Sequence, residues 1–317
     1  MQVVLDSLQS IAAEKEGFQF GDPWRYSDAS VVAVMPIVRS IDRERKYITL
    51  VEAGKGVVIT EIGRVNSVKV KNETDWNVFV RAGEIIAGST QERAFTMSQI
   101  IPAKTEKEVE VVCIHQTRGL SMGTGMKTDG YTPRPVVHSL YSAAGMSASN
   151  YQSTVWGSIR RYAVSAYTAA VPTDKVFFPT DDLAQALHRT HTHIGDLLSK
   201  VPYVEKQVGL MTVGMEGALA LECYDLHQSW SAVREAAIKQ QGEDLSKVLN
   251  DMDQVFQFRP ERAKEAARLL LTLPYKVESV GKNGNWETFA LRHKDFVGSA
   301  TVLNDEVIHL QLVRTTK

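Results

Sequence analysis

The sequence has few cysteines, no excess of either charge and no long apolar run. Cys113 and Cys223 are its only cysteines in 317 residues. They form no CxxC pair, which argues against a disulfide framework or a cysteine-rich zinc site and is typical of a reducing compartment. Lys and Arg number 36 against 37 Asp and Glu, a net charge of −1. This balance argues against a broad basic face for nucleic acid or an anionic membrane.

Neither a secretory nor a transmembrane segment is predicted. Residues 1–17 lack a basic start and contain Asp6, unlike a signal peptide. No stretch approaches about 18 uninterrupted apolar residues, the length that spans a bilayer. We therefore expect a soluble, cytoplasmic protein with neither nucleic acid nor a membrane as partner. Its hydrophobic content of 44% is typical of a globular protein, and its length predicts two domains or lobes.

The first half of the chain has the pattern of a multi-stranded β domain. Runs rich in Val, Ile, Thr and aromatic residues are separated by Gly, Asn and Asp. These runs are residues 30–38, 46–53, 56–63, 66–72, 76–83 and 108–115. Their spacing is too short for helical crossovers, which predicts a largely antiparallel sheet. An amphipathic helix is predicted before them, over residues 3–13.

The second half mixes helices and strands after a segment rich in Gly, Ser, Thr and Pro. That segment, residues 119–149, predicts a long loop or lid. The elements predicted after it are helices at 151–168, 181–200, 227–240 and 260–273, a hairpin at 206–225, and strands at 276–281, 285–293, 297–304 and 306–314.

The order of these elements predicts an α+β fold. Strands and helices are segregated along the chain and do not alternate as in a doubly wound fold. We expect a β-rich, mainly antiparallel N-terminal lobe with a short N-terminal helix over residues 1–118. The loop or lid over 119–149 would join it to a mixed helix and strand C-terminal lobe over 150–317.

Several stretches of the chain resemble one protein family in the same order. They are Val80 to Arg93 with its Ala-Gly-Glu start and Gln-Glu-Arg end, Ile100 to Ala103, Val109 to Arg118, Gln152 to Trp156, the hairpin from Val208 to Asp225, and the strand pair Gly298 to Val302 with Val307 to Leu310. From about Thr49 onward the chain resembles the ARG and rhodanese-phosphatase-superfamily-associated proteins. Four positions depart from the family pattern: Ser89 replaces a second glycine, Glu92 an asparagine, His115 an acidic residue and Gly119 a tryptophan.

The resemblance implies a metabolic context more than a reaction. The family's name records an association with ADP-ribosylglycohydrolases and rhodanese-phosphatases, which implies ADP-ribose or nucleotide metabolism. No catalytic mechanism comes with the resemblance, and it leaves the cofactors open. The resemblance therefore leaves open whether the chain is an enzyme.

A first group of candidate site residues lies between Gly83 and Arg93. Glycine permits close backbone approach, and the planar arginine fork suits phosphate or carboxylate. We predict that Glu84 is the acid/base residue and that Gln91, Glu92 and Arg93 bind the ligand. The alternative is that the glycines only make turns and that Arg93 pairs internally with Glu84 or Glu92.

A second group lies where a predicted strand enters the long loop. Cys113 and His115 alternate and so share one strand face, where the histidine would raise the thiolate fraction of the cysteine. The alternative for Cys113 is that of a small buried hydrophobic residue. We predict that His115 is catalytic and that Cys113 and Arg118 line the site, with Arg118 contacting an anion.

Other chemistry-bearing residues suit less specific roles. The glycine-rich run 119–128 is no phosphate loop, because Met126 separates Gly125 from Lys127 and no helix follows. As a lid, its Lys127 together with Arg134 and His138 would close over an anion. The remaining histidines with open roles are His188, His191 and His193, whose split across helix faces favours a solvated surface over a metal site, and His309, either a structural or a site residue.

These residues predict recognition, extending to hydrolysis, of a small anionic ligand of the nucleotide or ADP-ribose type. Arg93 and Arg118 would clamp the anion, Gln91 would orient it, and no metal is expected. The alternative is a non-catalytic module that forms a homo-oligomer or binds a partner. It is favoured by the absence of a complete triad, metal set or phosphate loop, and by strand edges that could pair between chains.

Overall fold

The computed structural model describes residues 1–27, 30–88, 92–114, 122–168, 183, 199–245 and 259–315. The contacts between residues divide the chain into two compact units. Unit 1 comprises Met1–Arg45 and Ile194–Lys317, and unit 2 comprises Lys46–His193. The described residues form six α-helices and 17 strands. This confirms the predicted β-rich α+β fold.

The secondary structure is as follows. The helices are α1 (Gln2–Ala12), α2 (Leu50–Ala53), α3 (Arg134–Ala143), α4 (Ala148–Thr168), α5 (His227–Leu245) and α6 (Pro260–Thr272). The strands are β1 (Phe18–Phe20), β2 (Ala33–Arg39), β3 (Tyr47–Thr49), β4 (Val57–Ile62), β5 (Ser67–Asn72), β6 (Asn77–Val80), β7 (Glu84–Ala87), β8 (Arg93–Phe95), β9 (Gln99–Ile101), β10 (Glu106–Cys113), β11 (Met122–Tyr131), β12 (Gln207–Gly214), β13 (Gly217–Tyr224), β14 (Lys276–Asn283), β15 (Trp286–Arg292), β16 (Phe296–Leu303) and β17 (Glu306–Arg314).

Unit 1 is built on one eight-stranded antiparallel sheet. Its strand order is β1-β2-β12-β13-β17-β16-β15-β14. Helices α1 and α6 pack on one face, because their buried residues recur every three or four positions, at Val4, Leu8 and Ile11 in α1. Together with Leu221 and Leu310 of the sheet they form the main hydrophobic core. Helix α5 also packs against β12 and β13.

Unit 2 is built on a closed six-stranded barrel with the order β10-β5-β4-β11-β7-β8. Residues alternate between its interior and its outer face, as the period of a strand requires. Ile86 of β7 belongs to the core inside the barrel, and its neighbour Ile85 packs against α3 and α4 outside. A small sheet, β3-β6-β9, completes the unit. Its β3 and β6 are parallel, an exception to the predicted antiparallel pairing.

The structure differs from the predicted loop over 119–149, because this segment contains β11 and α3. Its glycines indicated a loop, but β11 pairs with β4 on one side and β7 on the other, through two register shifts. Cross-strand pairing therefore overrides the low strand propensity of glycine. The division of the chain also differs from the predicted one, because residues from both ends form unit 1.

A second difference concerns the predicted strand 46–53, which ends at Thr49. Thr49 and Glu52 form a capping box, in which each side chain binds the other's backbone amide. This starts α2 in the middle of the apolar run. The predicted helix 181–200 is described only at positions 183, 199 and 200, and His188, His191 and His193 lie outside the described residues. Within the described part of the chain, we find no helix with the length and hydropathy to cross a membrane.

Candidate functional site

Glu84, the predicted acid/base residue, is the first residue of β7 and is buried in unit 2. It is 2% exposed. Among the residues that the structure describes, its Oε1 has no hydrogen-bond partner. Burial raises the pKa of Glu84 to about 8, against the smaller opposing effects of the backbone amide and the charge of Arg81. The carboxyl therefore holds its proton at neutral pH and exchanges it just above.

Buried polar residues lie within residues 81–84 and on two segments that contact this stretch, and we call the set Arg81, Glu84, Ser98, Tyr131 and Thr132 the Glu84 centre. The Arg81 guanidinium lies 4.2 Å over the centre of the Tyr131 ring, a cation–π contact. Tyr131 is also the register partner of Glu84 between β11 and β7. The Ser98 hydroxyl accepts a hydrogen bond of 2.9 Å from the amide of residue 82. All five residues are buried.

Gly83 brings these segments together. Its φ of +81° is unfavourable for other residues, and a Cβ there would lie 2.5 Å from Thr132 Oγ1. Its carbonyl accepts a 2.8 Å hydrogen bond from the amide of Thr132. In the Gly-Glu pair of the family pattern, the glycine thus makes a turn, and this turn places the acid that follows it in a buried position.

Arg93 has a different environment, inside the barrel. It forms an ion pair with Glu61, in which both side chains are fully buried. Its Nη1 donates hydrogen bonds to the carbonyls of Arg64 (2.6 Å) and Ser67 (3.1 Å). These contacts join β8 to the turn between β4 and β5. The internal pairing corresponds to the alternative interpretation of Arg93, with Glu61 as its partner in place of Glu84 or Glu92.

Cys113 lies at the end of β10, where it is the register partner of Arg93. Its backbone is held by α4. The Gln152 side chain donates to the Cys113 carbonyl (2.7 Å) and accepts from its amide (3.2 Å), and Trp156 Nε1 donates to the same carbonyl (2.8 Å). The family's Gln-x-x-Val-Trp element therefore fastens α4 to the end of β10, with Val155 in the core between them.

The remaining predicted residues have separate positions. Glu92 is half-buried before β8, and its carbonyl accepts a hydrogen bond from the amide of Ile114. Lys127 is an exposed residue of β11, and Arg134 and His138 are half-buried on α3. Those outside the described residues are Gln91, His115 and Arg118, with the family departures Ser89 and Gly119.

The described residues thus pair Arg93 with Cys113 between β8 and β10, whereas Glu84 is paired with Tyr131 of β11. Arg93 is the register partner of Ile86, two positions along β7 from Glu84. Glu84 belongs instead to the centre formed with Arg81, which the sequence reasoning missed. Arg81 directly precedes Ala82 and Gly83, so its place beside the motif was a usable signal.

A second buried polar group, in unit 1, was also missed. Glu222 Oε1 accepts hydrogen bonds from His309 Nε2 (3.1 Å) and Tyr224 (3.3 Å), and its Oε2 accepts one from Gln311 (3.4 Å), which also donates to Gln240 of α5 (3.2 Å). All five are buried. Glu222 and Tyr224 alternate along β13, as His309 and Gln311 do along β17, so each pair shares one face of its strand and contributes to a buried network. His309 is therefore a hydrogen-bonded member of this group.

The chemistry available in these groups is proton transfer and hydrogen bonding. No set of three or more His, Cys, Asp or Glu able to hold a metal ion occurs in the described part of the chain. The sequence model of the ARG and Rhodanese-Phosphatase-superfamily-associated Protein domain matches residues 17–313, nearly the whole chain. Comparisons with curated proteins and with solved structures gave no significant match.

Proposed function

The chain belongs to the ARG and rhodanese-phosphatase-superfamily-associated protein family, and from this premise we propose that it binds a small anionic ligand of the nucleotide or ADP-ribose type and exchanges a proton with it through Glu84. One observation carries the proposal: a carboxyl that is 2% exposed and has a pKa of about 8. Buried acids with such pKa values are concentrated at functional sites. The family's name supplies the ligand class.

The charge of the Glu84 centre favours an anion. At pH 7 Glu84 is mostly protonated, so it adds no negative charge beside the positively charged Arg81 guanidinium. Both side chains are buried, where charges interact more strongly than in water. An anionic group beside the pair is stabilised by this charge, and ionisation of Glu84 opposes it.

The same carboxyl suits a hydrolytic step. A protonated Glu84 would give its proton to the leaving oxygen as the bond between that oxygen and the reacting centre breaks. Water would add to the reacting centre and return a proton to the carboxylate, which balances the step. Glu84 is thereby the general acid and then the base, as the predicted acid/base role requires.

The barrel of unit 2 and the edge strand β14 of unit 1 favour ligand binding over the alternative of pairing between chains. The barrel strands close on one another, and closure removes the edges of a sheet. The edge strand β14 of unit 1 carries Lys276, Glu278 and Lys282 and a register shift between Ser279 and Gly281. Charges and bulges on an edge are the features that prevent strand pairing.

The test is calorimetric binding of ADP-ribose at pH 7 and pH 9. We expect the wild-type affinity to fall about tenfold, because the protonated fraction of Glu84 falls to about one tenth over this interval. Glu84→Gln is neutral at both pH values and is expected to bind with an affinity that does not change. AMP, NAD and inorganic phosphate define the ligand class in parallel titrations.

Glu110→Gln is the matched control, because Glu110 is an exposed residue of β10 in the same unit. It removes a carboxylate without touching the Glu84 centre and should retain the wild-type pH dependence. The proposal fails if none of these ligands binds to the wild type, or if Glu84→Gln retains the full pH dependence.

A further inference from the structure

The helical pair α3–α4 of unit 2 carries positive charge without any carboxylate. Residues 130–168 contain Arg134, Arg160, Arg161 and His138 but no Asp or Glu. Outside this segment Asp and Glu outnumber Lys and Arg, because the whole chain, with these three arginines included, has a net charge of −1. Arg160 and Arg161 are exposed, and neither forms a salt bridge within the described residues.

The two helices run antiparallel, and this arrangement determines which of these side chains lie close together. Tyr151, near the start of α4, donates a 3.3 Å hydrogen bond to the carbonyl of Leu140 near the end of α3. Further along α4, Ser158 donates a 2.9 Å hydrogen bond to the carbonyl of Pro135 near the start of α3. The later turns of α4 therefore lie beside the first turn of α3.

This packing brings three of the four cationic or titratable groups to the start of α3. Arg134 and His138 are four residues apart and so share one face of α3. Arg161 is three residues after Ser158, and so lies on the side of α4 that faces Pro135 and Arg134. Arg160, one position away, is rotated by about 100° from Arg161 around the helix.

We propose that Arg134, His138 and Arg161 form a phosphate-binding surface, which takes the phosphate or diphosphate of the anionic ligand. The inference rests on the proposed function for the identity of that ligand, but its residues are separate from Glu84. The surface adjoins the Glu84 centre, since Thr132 lies two residues before Arg134. A phosphate on this surface is held beside the turn that places Glu84.

The size of the surface suits a small phosphorylated molecule. Two guanidinium groups and one imidazole match the oxygens of one or two phosphate groups, which arginine binds in a bidentate manner. A nucleic-acid strand would need a longer positive groove that follows its backbone. The balanced charge of the chain argues against such a groove.

The electrostatics of His138 are consistent with this arrangement. Burial lowers the pKa of His138, and the charges of Arg134 and then Arg161 lower it further. His138 Nε2 lies 3.1 Å from the Ser142 hydroxyl. A bound phosphate, being negative, would raise the pKa of His138 and increase the positive charge of the surface.

The experiment compares Arg161→Ala with Arg160→Ala, which lose the same charge from neighbouring exposed positions. Calorimetry measures the affinities for pyrophosphate and for ADP-ribose, and NMR titration follows the His138 ring. We expect Arg161→Ala to weaken both affinities about 10- to 100-fold and to raise the pKa of His138. Arg160→Ala should leave both readouts near the wild type. Pyrophosphate should raise the pKa of His138 in the wild type.

The outcomes separate this inference from the proposed function. If Arg161→Ala and Arg160→Ala bind ADP-ribose equally while Glu84→Gln abolishes its pH dependence, the phosphate-binding surface is wrong and the proposed function stands. If ADP-ribose does not bind but pyrophosphate binds in an Arg161-dependent way, the surface stands and the proposed ligand is wrong. Binding of a single-stranded oligonucleotide in preference to pyrophosphate would overturn the inference of a small ligand.

Discussion

Glu84 links the stability of the folded chain to its protonation. In the folded protein its pKa is about 8 against an ordinary value of 4.5, so the folded state binds a proton that the unfolded state releases between these values. Stability therefore falls as pH rises through this window, because the unfolded state binds fewer protons there. Below pH 4.5 both states hold the proton, and well above pH 8 neither does.

We predict that Glu84→Gln alters this pH profile. Each pH unit between the two pKa values contributes about 1.4 kcal/mol, so the wild type loses about 4 to 5 kcal/mol between pH 4.5 and pH 8. The neutral amide does not titrate, so this loss should be absent in the variant. Urea unfolding at pH 5 and pH 8 measures both slopes, with Glu110→Gln as the control. Parallel profiles of stability against pH for the wild type and Glu84→Gln would show that burial does not raise the pKa of the Glu84 carboxyl.

The period of the strands and helices made most elements predictable. The hairpin over 206–225 appears as β12 and β13, the helices over 227–240 and 260–273 appear as α5 and α6, and the terminal strands appear as β14 to β17. Each of these elements either has a clear apolar period or begins at a turn or a proline. The short strands β7, β8 and β9 have three or four residues each. Such strands carry too few residues for a period to be recognised.

The pairing of the strands explains why two positions of the family pattern require glycine. A Cβ at Gly209 of β12 would lie 2.4 Å from the carbonyl oxygen of Glu222 on β13. A Cβ at Gly298 of β16 would lie 2.0 Å from the carbonyl oxygen of Gln311 on β17. Both contacts are with backbone, which cannot move aside as a side chain does. Glycine at these positions therefore permits the close approach of central strands in the unit 1 sheet.

We predict that Gly209→Ala destabilises unit 1 strongly, by about 3 kcal/mol or more, because the new methyl group forces the backbones apart. Gly214→Ala on the same strand is the control. Its Cβ would meet only the Leu219 side chain, at 3.1 Å, and a flexible side chain adjusts at little cost. Chemical denaturation of the two variants measures the difference, and equal stabilities would contradict this account of the glycine.

The whole molecule shows why the site was only partly predictable. Unit 1 joins Met1–Arg45 to Ile194–Lys317, which the residues of unit 2 separate in the sequence, and a local period says nothing about segments that meet from opposite ends of a chain. Glu84 could be proposed from the sequence because glycine and acid are adjacent there. Its register partner Tyr131 lies on β11, and Ser98 of the Glu84 centre directly precedes β9. Glu222 and His309 are 87 residues apart, and only the register of β13 with β17 brings them together.

The same registers explain what the family pattern records in this chain. Gly83 makes the turn before a buried acid, Gln152 and Trp156 fasten α4 to β10, and Gly209 and Gly298 allow close strand pairing. These five residues therefore maintain the two units. Glu84 is different, because a buried carboxyl without a partner for Oε1 among the described residues destabilises the fold that contains it. We therefore propose that its function, and not the stability of unit 2, accounts for its position.

The uptake of protons on ADP-ribose binding at pH 8 tests this conclusion most directly. Calorimetric titrations in two buffers of different ionisation enthalpy give the number of protons taken up per ligand. Glu84 is half-protonated near pH 8 in the free protein, and only its protonated form is expected to bind the anion. We therefore predict that the wild type and Glu110→Gln take up about half a proton more per ligand than Glu84→Gln does. Binding without proton uptake in the wild type, or equal uptake in Glu84→Gln, would contradict the assignment of Glu84.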